Sequence, residues 1–480
     1  MKKKCVTLFL IFCAVANAGA EILELPQYLK QVEQSNENVR GALQLSRGSS
    51  ERSAEGKLMF SPAFYAVGYT MDDKRDTIMA VLTGDEAKAS GTEIGISQLT
   101  RSGTGVRLSY GITNTEMINA SPLYISMPKF TDTSVKIELE QPLWKNSFGR
   151  QYKNTEIAGE AQAKAVSYAK LYEAQMLLLD AEIKYWKLSG IRESIKVLST
   201  SLEKTKEILK FNSKQFKRNL VDINVVLQCE AQVKARNLDL ISIISDEKEA
   251  MQALNEARKF DAEVIEEDTP LPDTKTVLEM LCVPINRCQM RNDVKAAEQG
   301  VLAQNAADKI NKERTVPELS VFTVASLNSR KGTADESMGN TLNSDYPYYE
   351  VGVKFSVPLN SSLVSKIHSG YDNEINGAKL QYNQKKYKQD KEWAMLERKL
   401  KDVKDRLAAT EELEKAQLVK LEKESERQKQ GQSTLFQVFI FEQEYLASQL
   451  NLISIRGTAL GLVAQAKTFS EYNGSNGGLK

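Results

Sequence analysis

Two stretches of the chain alternate strictly between apolar and polar positions and then meet a proline. In Val135-Lys-Ile-Glu-Leu-Glu-Gln-Pro142, Val135, Ile137 and Leu139 oppose Lys136, Glu138 and Glu140. In Val351-Gly-Val-Lys-Phe-Ser-Val-Pro358, Val351, Val353, Phe355 and Val357 oppose Gly352, Lys354 and Ser356. A period of two predicts strands with one apolar and one polar face. Proline cannot donate to a sheet ladder but suits the first turn of a helix, so Pro142 and Pro358 are expected where strand becomes helix. The opposite junction is expected at Pro62, before Phe64, Tyr65, Val67, Tyr69 and Met71, and at Pro317, before Leu319, Val321, Phe322 and Val324. Each half thus reads helix, proline, strand, loop, strand, proline, long helix: two internal repeats.

Between Pro62 and Pro142 two further alternating runs, from Thr92 and to Tyr110, are joined by Thr100-Arg-Ser-Gly103 and predict an extra hairpin. The later strand pair encloses a polar loop, Asn328–Ser344. Tyr346, Tyr348 and Tyr349 stand before its returning strand and suit either a bilayer interface or cross-strand packing in a soluble sheet.

Helical spacing covers the remainder. Leu25, Leu29, Val32, Val39 and Leu43 predict a first helix over 21–58. A long helix is expected over Ser147–Phe211, a turn at Lys214–Asn219, and a second helix to Phe260. The later counterpart runs Ser362–Gln428, turns at Lys429–Ser433, and continues Thr434–Phe469. Asn219 and Gly431 occupy equivalent turn positions, and both residue types tolerate the left-handed backbone that ends a helix. The narrow stripe of Leu435, Val438, Phe439, Tyr445, Leu446, Leu450 and Ile453 suits side-by-side coiled-coil packing. The expected division is a leader over 1–20, a helix over 21–60, strands with the extra hairpin over 61–143 and a helical hairpin over 144–260. A linker over 261–290, a helix over 291–316, strands over 317–358, a second helical hairpin over 359–470 and a disordered tail over 471–480 complete it.

Composition agrees with long helices, since only 11 prolines and 26 glycines interrupt 480 residues. Lys2–Lys4, the apolar run Val6–Val15 and the small residues Ala16–Ala20 form a secretory signal too short to span a bilayer. Its removal takes three lysines and no acid, turning the formal charge from +1 to −2. No clustered basic excess remains, so nucleic acid is not an expected partner. Cys229, Cys282 and Cys288 then remain. An oxidising compartment would allow Cys282 and Cys288 to pair, and the other reading is two thiols in a partly buried turn. The sole histidine, His368, reads as a helix-surface residue. No phosphate-cradling glycine motif or Cys-x-x-Cys pair occurs, so neither an enzyme, a metal site nor a cofactor is expected.

Within a bilayer every backbone donor and acceptor must be satisfied, so strands cross only as closed barrels. If the four proline-bounded strands are transmembrane they are too few to close, so several copies must share one barrel: two would leave it plugged by side chains, and three or more would leave a lumen. At this point the chain resembles the TolC-like outer-membrane efflux proteins. The landmarks are Gln141-Pro-Leu143, Arg291-Asn-Asp-Val-Lys-Ala-Ala-Glu298, Val316-Pro-Glu-Leu319, Gly431-Gln-Ser-Thr-Leu-Phe-Gln-Val438 and Glu444-Tyr-Leu-Ala-Ser-Gln-Leu450, in that order. The resemblance implies a mixed α and β membrane protein. It would be a homotrimer whose twelve-stranded barrel, four strands per protomer, sits in outer-membrane lipid of a Gram-negative bacterium and continues as a periplasmic α-helical coiled-coil barrel. It also implies an inner-membrane pump (RND, ABC or MFS type) and a periplasmic adaptor as partners, in efflux or type I secretion. Asn219, Leu220 and Val221, with Gly431, Gln432 and Ser433, would be the tip turns that face the adaptor. Some members carry acids just beyond the second turn as a cation-selective constriction. Here Gln437 and Ile440 stand there, and the neighbouring Glu442 and Glu444 read as a solvated face. The extra hairpin at about Thr92–Tyr110 is a second departure, and it either sits outside the membrane or enlarges the barrel. The rival from another class is a soluble periplasmic coiled-coil adaptor, which would carry one helical hairpin between compact β domains rather than two.

Overall fold

A computed structural model describes residues 22–75, 79–262, 264–284, 286–343 and 345–470; the expected leader and tail lie outside the described residues. In chain order the first elements are α1 (Leu25–Ser35), α2 (Glu37–Arg52), β1 (Ala63–Asp73), α3 (Ala80–Thr83), β2 (Glu86–Leu99), β3 (Gly105–Ile118) and β4 (Lys129–Pro142). There follow α4 (Arg150–Phe216), α5 (Ile223–Arg258), α6 (Thr274–Cys282) and α7 (Asn292–Glu313). The last are β5 (Glu318–Lys331), α8 (Ala334–Asn340), β6 (Pro347–Ser356), α9 (Ser361–Lys429) and α10 (Leu435–Lys467). The two longest helices have 67 and 69 residues, each about 100 Å at 1.5 Å per residue.

The chain forms two compact units, one of 1–44, 171–291 and 388–480, the other of 45–170 and 292–387. The first is helical. Its core joins Tyr28 and Val32 of α1, Tyr185 and Leu188 of α4, Leu254 of α5, Val277 of α6, Leu407 of α9 and Leu460 of α10. Stacking of Tyr28 on Tyr185, centroids 5.6 Å apart, and the edge contact of Tyr185 with Trp186 at 4.9 Å fix the centre. The expected linker over 261–290 carries α6, and Ile265 and Val277 are buried in this core.

The second unit is built on a single antiparallel sheet in the order β1-β2-β3-β4-β5-β6. The sheet holds the four expected proline-bounded strands and, between β1 and β4, the two strands of the expected hairpin. The hairpin read as extra is the middle of the wall, with β2 and β3 paired to each other and to β1 and β4 along their length.

Two boundaries differ for local reasons. The predicted first helix breaks at Asn36, whose Oδ1 accepts from the amides of Asn38 (3.0 Å) and Val39 (3.3 Å) and starts α2. Its Nδ2 donates to the Ala257 carbonyl at 2.8 Å. The prolines close strands rather than open helices. Pro142 ends β4, but α4 begins only at Arg150, after Asn146 (φ 58°), Phe148 (φ 53°) and Gly149 (φ 71°) have turned the chain. Pro358 likewise precedes α9 by three residues. Pro62 and Pro317 stand just before β1 and β5, as expected.

Candidate functional site

The helical turns at Asn219 and Gly431 are built alike. Asn219 (φ 60°) and Gly431 (φ 75°) both adopt the left-handed conformation. The amide of Asn219 donates to Phe216 O at 2.8 Å and that of Leu220 to Gln215 O at 3.0 Å. One turn later in the fold, Gly431 donates to Gln428 O (3.0 Å) and Gln432 to Arg427 O (2.9 Å). Three residues past each left-handed position a side chain caps the next helix: Asp222 accepts from the Asn224 amide and Thr434 from the Gln437 amide. Part of the orphan groups at each of these helix ends is therefore satisfied, and the chain passes from one helix to the next in six residues or fewer.

Nothing lies within 4 Å of a Cβ added at Gly431, so only its backbone conformation resists a side chain. Gly431→Ala is expected to cost about 1 kcal/mol, the penalty for a left-handed L-residue, and to lower hydrogen-exchange protection of the Gln432 amide about fivefold. Gly431→Asn is expected to lose less.

Leu220 is exposed, as is Phe436 in the first turn of α10, while Val221 and Ser433 are half-buried. The Ser433 hydroxyl donates to Glu424, which Arg427 also contacts at 3.2 Å. Glu424 is a buried acid beneath the second turn that sequence reasoning missed; its position two helical turns before Gly431 was the available signal.

Gln437 and Ile440 are half-buried on α10. Glu442 does not lie on a solvated face. It is half-buried, its Oε1 accepts from the Ser201 hydroxyl of α4 at 3.4 Å, and Thr205 and Lys204 of α4 and Arg236 of α5 face it. Burial pushes its pKa up, and the attraction of Arg236 does not fully offset that. Glu444 pairs outward with Lys420 at 2.6 Å. A carboxyl with a raised folded pKa holds its proton more tightly when folded. Its contribution is fully present below the ordinary glutamate value and is lost as pH rises through the raised one. Glu442→Gln is therefore expected to match the wild type in thermal midpoint near pH 4 and exceed it at about pH 7–8, read by thermal melts across pH.

The sheet has two chemically distinct faces. Register places Phe64, Ile94, Ile96, Leu108, Tyr110, Val135, Ile137, Leu327, Val351 and Val353 on one. The other carries Arg107–Glu138 (3.3 Å), Lys136–Glu138 (2.8 Å), Arg330–Asp132 (2.7 Å) and Lys354–Glu318 (2.7 Å). On that polar face, aromatic rings lie across glycines of the neighbouring strand. A Cβ on Gly91 would meet the Tyr69 ring at 2.4 Å, one on Gly95 the Tyr65 ring at 2.7 Å, and one on Gly352 the Phe322 ring at 2.2 Å.

Cys282 and Cys288 are not joined by a disulfide. Lys404 Nζ lies 3.2 Å from the Cys282 sulfur, and the Cys288 thiol donates to the Met290 carbonyl at 3.3 Å. Buried Cys229 has its thiol pushed up to about 11 by desolvation, as a core cysteine should. His368 is half-buried and shares a 2.7 Å hydrogen bond with the Thr315 hydroxyl.

Among solved structures, the chain is similar to the outer membrane protein VceC from Vibrio cholerae, with 13% identity and a TM-score of 0.62 over 93% of this chain and 95% of that one. It is similar to the CmeC outer membrane channel of Campylobacter jejuni, with 13% identity and a TM-score of 0.60 over 93% and 85%. The open state of the Neisseria gonorrhoeae MtrE outer membrane channel matches with 13% identity and a TM-score of 0.60 over 93% and 88%. No family model and no curated protein matches the sequence. At such identities the likeness is one of fold: the chain has the mixed helix-and-sheet fold of outer-membrane channels, in agreement with the TolC-like resemblance of its landmarks.

Proposed function

We infer that the protein is the outer-membrane exit channel of a tripartite efflux or type I secretion system. The observation that carries this is the sheet: one apolar face that, among the described residues, is covered only near Thr133, where α8 packs, one ion-paired face, and two outer edges, β1 and β6, with no partner strand among the described residues. In lipid such edges are untenable unless neighbouring copies complete the wall, and the ion-paired face then lines water. The resemblance supports three copies. The helices would extend the tube into the periplasm, and the two like-built turns support the reading of two repeats.

The turns Asn219-Leu220-Val221 and Gly431-Gln432-Ser433 are the proposed docking points for a periplasmic adaptor bound to an inner-membrane pump. Exposed Leu220 and Phe436 offer that partner an apolar contact. Gln437 and Ile440 would line the closed mouth, where a change of helix packing would open it. Carrying no charge there, the channel is expected to lack strong cation selectivity.

The test is purification from outer membranes followed by native mass measurement and planar-bilayer recording. A detergent-dependent trimer with discrete conductance steps is expected. A monomer soluble without detergent overturns the reading and returns it to the adaptor class.

A further inference from the structure

The hairpin β2–β3 has the same two faces as the strands that flank it. On the apolar side Ile94 and Ile96 of β2 stand opposite Tyr110 and Leu108 of β3, which in turn stand opposite Val135 and Ile137 of β4. Their exposures are alike: 43% for Ile94, 50% for Ile96 and 48% for Leu108, against 41% for Ile137 and 39% for Leu139. Among the described residues nothing covers these side chains more than Ile137 and Leu139 of β4 are covered. The band is bounded on each strand by a charge, Lys88, Glu116, Lys129 and Lys331. On the reverse side β2 and β3 join the polar lining through Glu93, which accepts from the Tyr65 hydroxyl at 2.7 Å, and through Arg107 paired with Glu138. Each strand has 14 residues, more than the roughly 9 to 11 that a tilted membrane strand requires.

The hairpin is also fixed at the helical end of the wall. Its turn packs backbone to backbone on the start of α4: a Cβ on Gly149 would fall 2.3 Å from Arg101 O, and Arg101 pairs with Glu156 at 3.0 Å. Gln141 at the end of β4 accepts from the Thr104 hydroxyl at 2.5 Å.

We propose that β2 and β3 face acyl chains and that the assembled barrel has six strands per copy, eighteen in a trimer, rather than twelve. This rests on the channel reading above. With strands about 4.8 Å apart and tilted about 40°, eighteen give a backbone diameter of about 36 Å against about 24 Å for twelve. The outer part of the pore is then wide enough to impose little selection by size, and discrimination falls to the helical end.

Fluorophores on single cysteines test this in the full chain, reconstituted into liposomes with Cys229, Cys282 and Cys288 replaced by serine. Ile94→Cys and Leu108→Cys report on the hairpin, Ile137→Cys and Val353→Cys on the flanking wall, and Thr113→Cys on the polar face. Ile96→Cys and Ile112→Cys replace either hairpin probe if it does not assemble. The hairpin and wall probes are expected to lose about half of their emission to brominated lipid and to resist aqueous iodide, with the reverse at Thr113. Hairpin probes open to iodide and silent to brominated lipid, beside normally quenched wall probes, overturn the eighteen-stranded barrel alone. Lipid silence at Ile137 and Val353 as well overturns the channel reading with it.

Discussion

Replacing Arg258 by alanine is expected to destabilise the helical unit by about 2–3 kcal/mol, because it removes a buried guanidinium together with its charge-assisted hydrogen bonds. Its side chain is 3% exposed and meets Glu267 at 3.1 and 3.3 Å. It also donates to Asn255 (2.8 Å) and Gln31 (3.2 Å), and its guanidinium lies 4.5 Å from the Phe260 ring centroid. One residue earlier and at Arg258 itself, backbone carbonyls receive Asn36 Nδ2 and Ser35 Oγ at the end of α1. The alanine thus removes the group joining α1, α5 and the segment leading to α6. The Arg258 guanidinium holds the Glu267 carboxyl below the usual range. That stabilisation is present above the ordinary glutamate value and is lost as pH falls through the lowered one, so the wild type should carry an acid-labile component that Arg258→Ala lacks. Urea titrations of both proteins at about pH 7 and pH 4 measure it. Arg258→Lys keeps the charge without the planar fork, and an intermediate loss is expected.

Ile137→Arg should be similarly severe, at about 2–4 kcal/mol per copy, because it sets a cation in the middle of the apolar face. Ile137 stands between Leu108 and Ala325 in register. Its neighbour Lys136 points the other way and pairs with Glu138 at 2.8 Å, both side chains about a third exposed. Lys136→Gln gives up one such pair, and a change within about 1 kcal/mol is expected. Folding into lipid vesicles, followed by resistance to added protease, compares them. Equal insertion of Ile137→Arg and wild type would reverse the assignment of the faces.

Period-two alternation made β4 and β6 legible, down to which face each residue takes, because a large apolar side chain fills every second position over Val135–Leu139 and Val351–Phe355. The hairpin was visible, but its place in the sheet was left open. Its strands include Gly91 and Gly95, which weaken the pattern, and the reason for glycine there is Tyr69 and Tyr65 on a neighbouring strand. No local window contains that reason. The turns between the long helices were legible because Asn219 and Gly431 mark a backbone conformation rather than a contact. The break at Asn36 was not, since the side chain that stabilises it reaches a carbonyl 221 residues away. Glu442 failed for a like cause. Its depth is set by α4 and α5, whereas its own helix shows only one acid beside a narrow apolar stripe.

Parity gives the six-stranded sheet one last consequence. A chain that crosses a wall an even number of times finishes on the side from which it started. β1 follows a helical segment and β6 leads into one, and β4 hands over to α4 after the fourth crossing. Growth by a single strand would have thrown the 67-residue helix α4 to the opposite side of the wall. Growth by a pair keeps β4 and β6 ending at the same end of the sheet, from which α4 and α9 follow, and it is the smallest enlargement of the sheet that does.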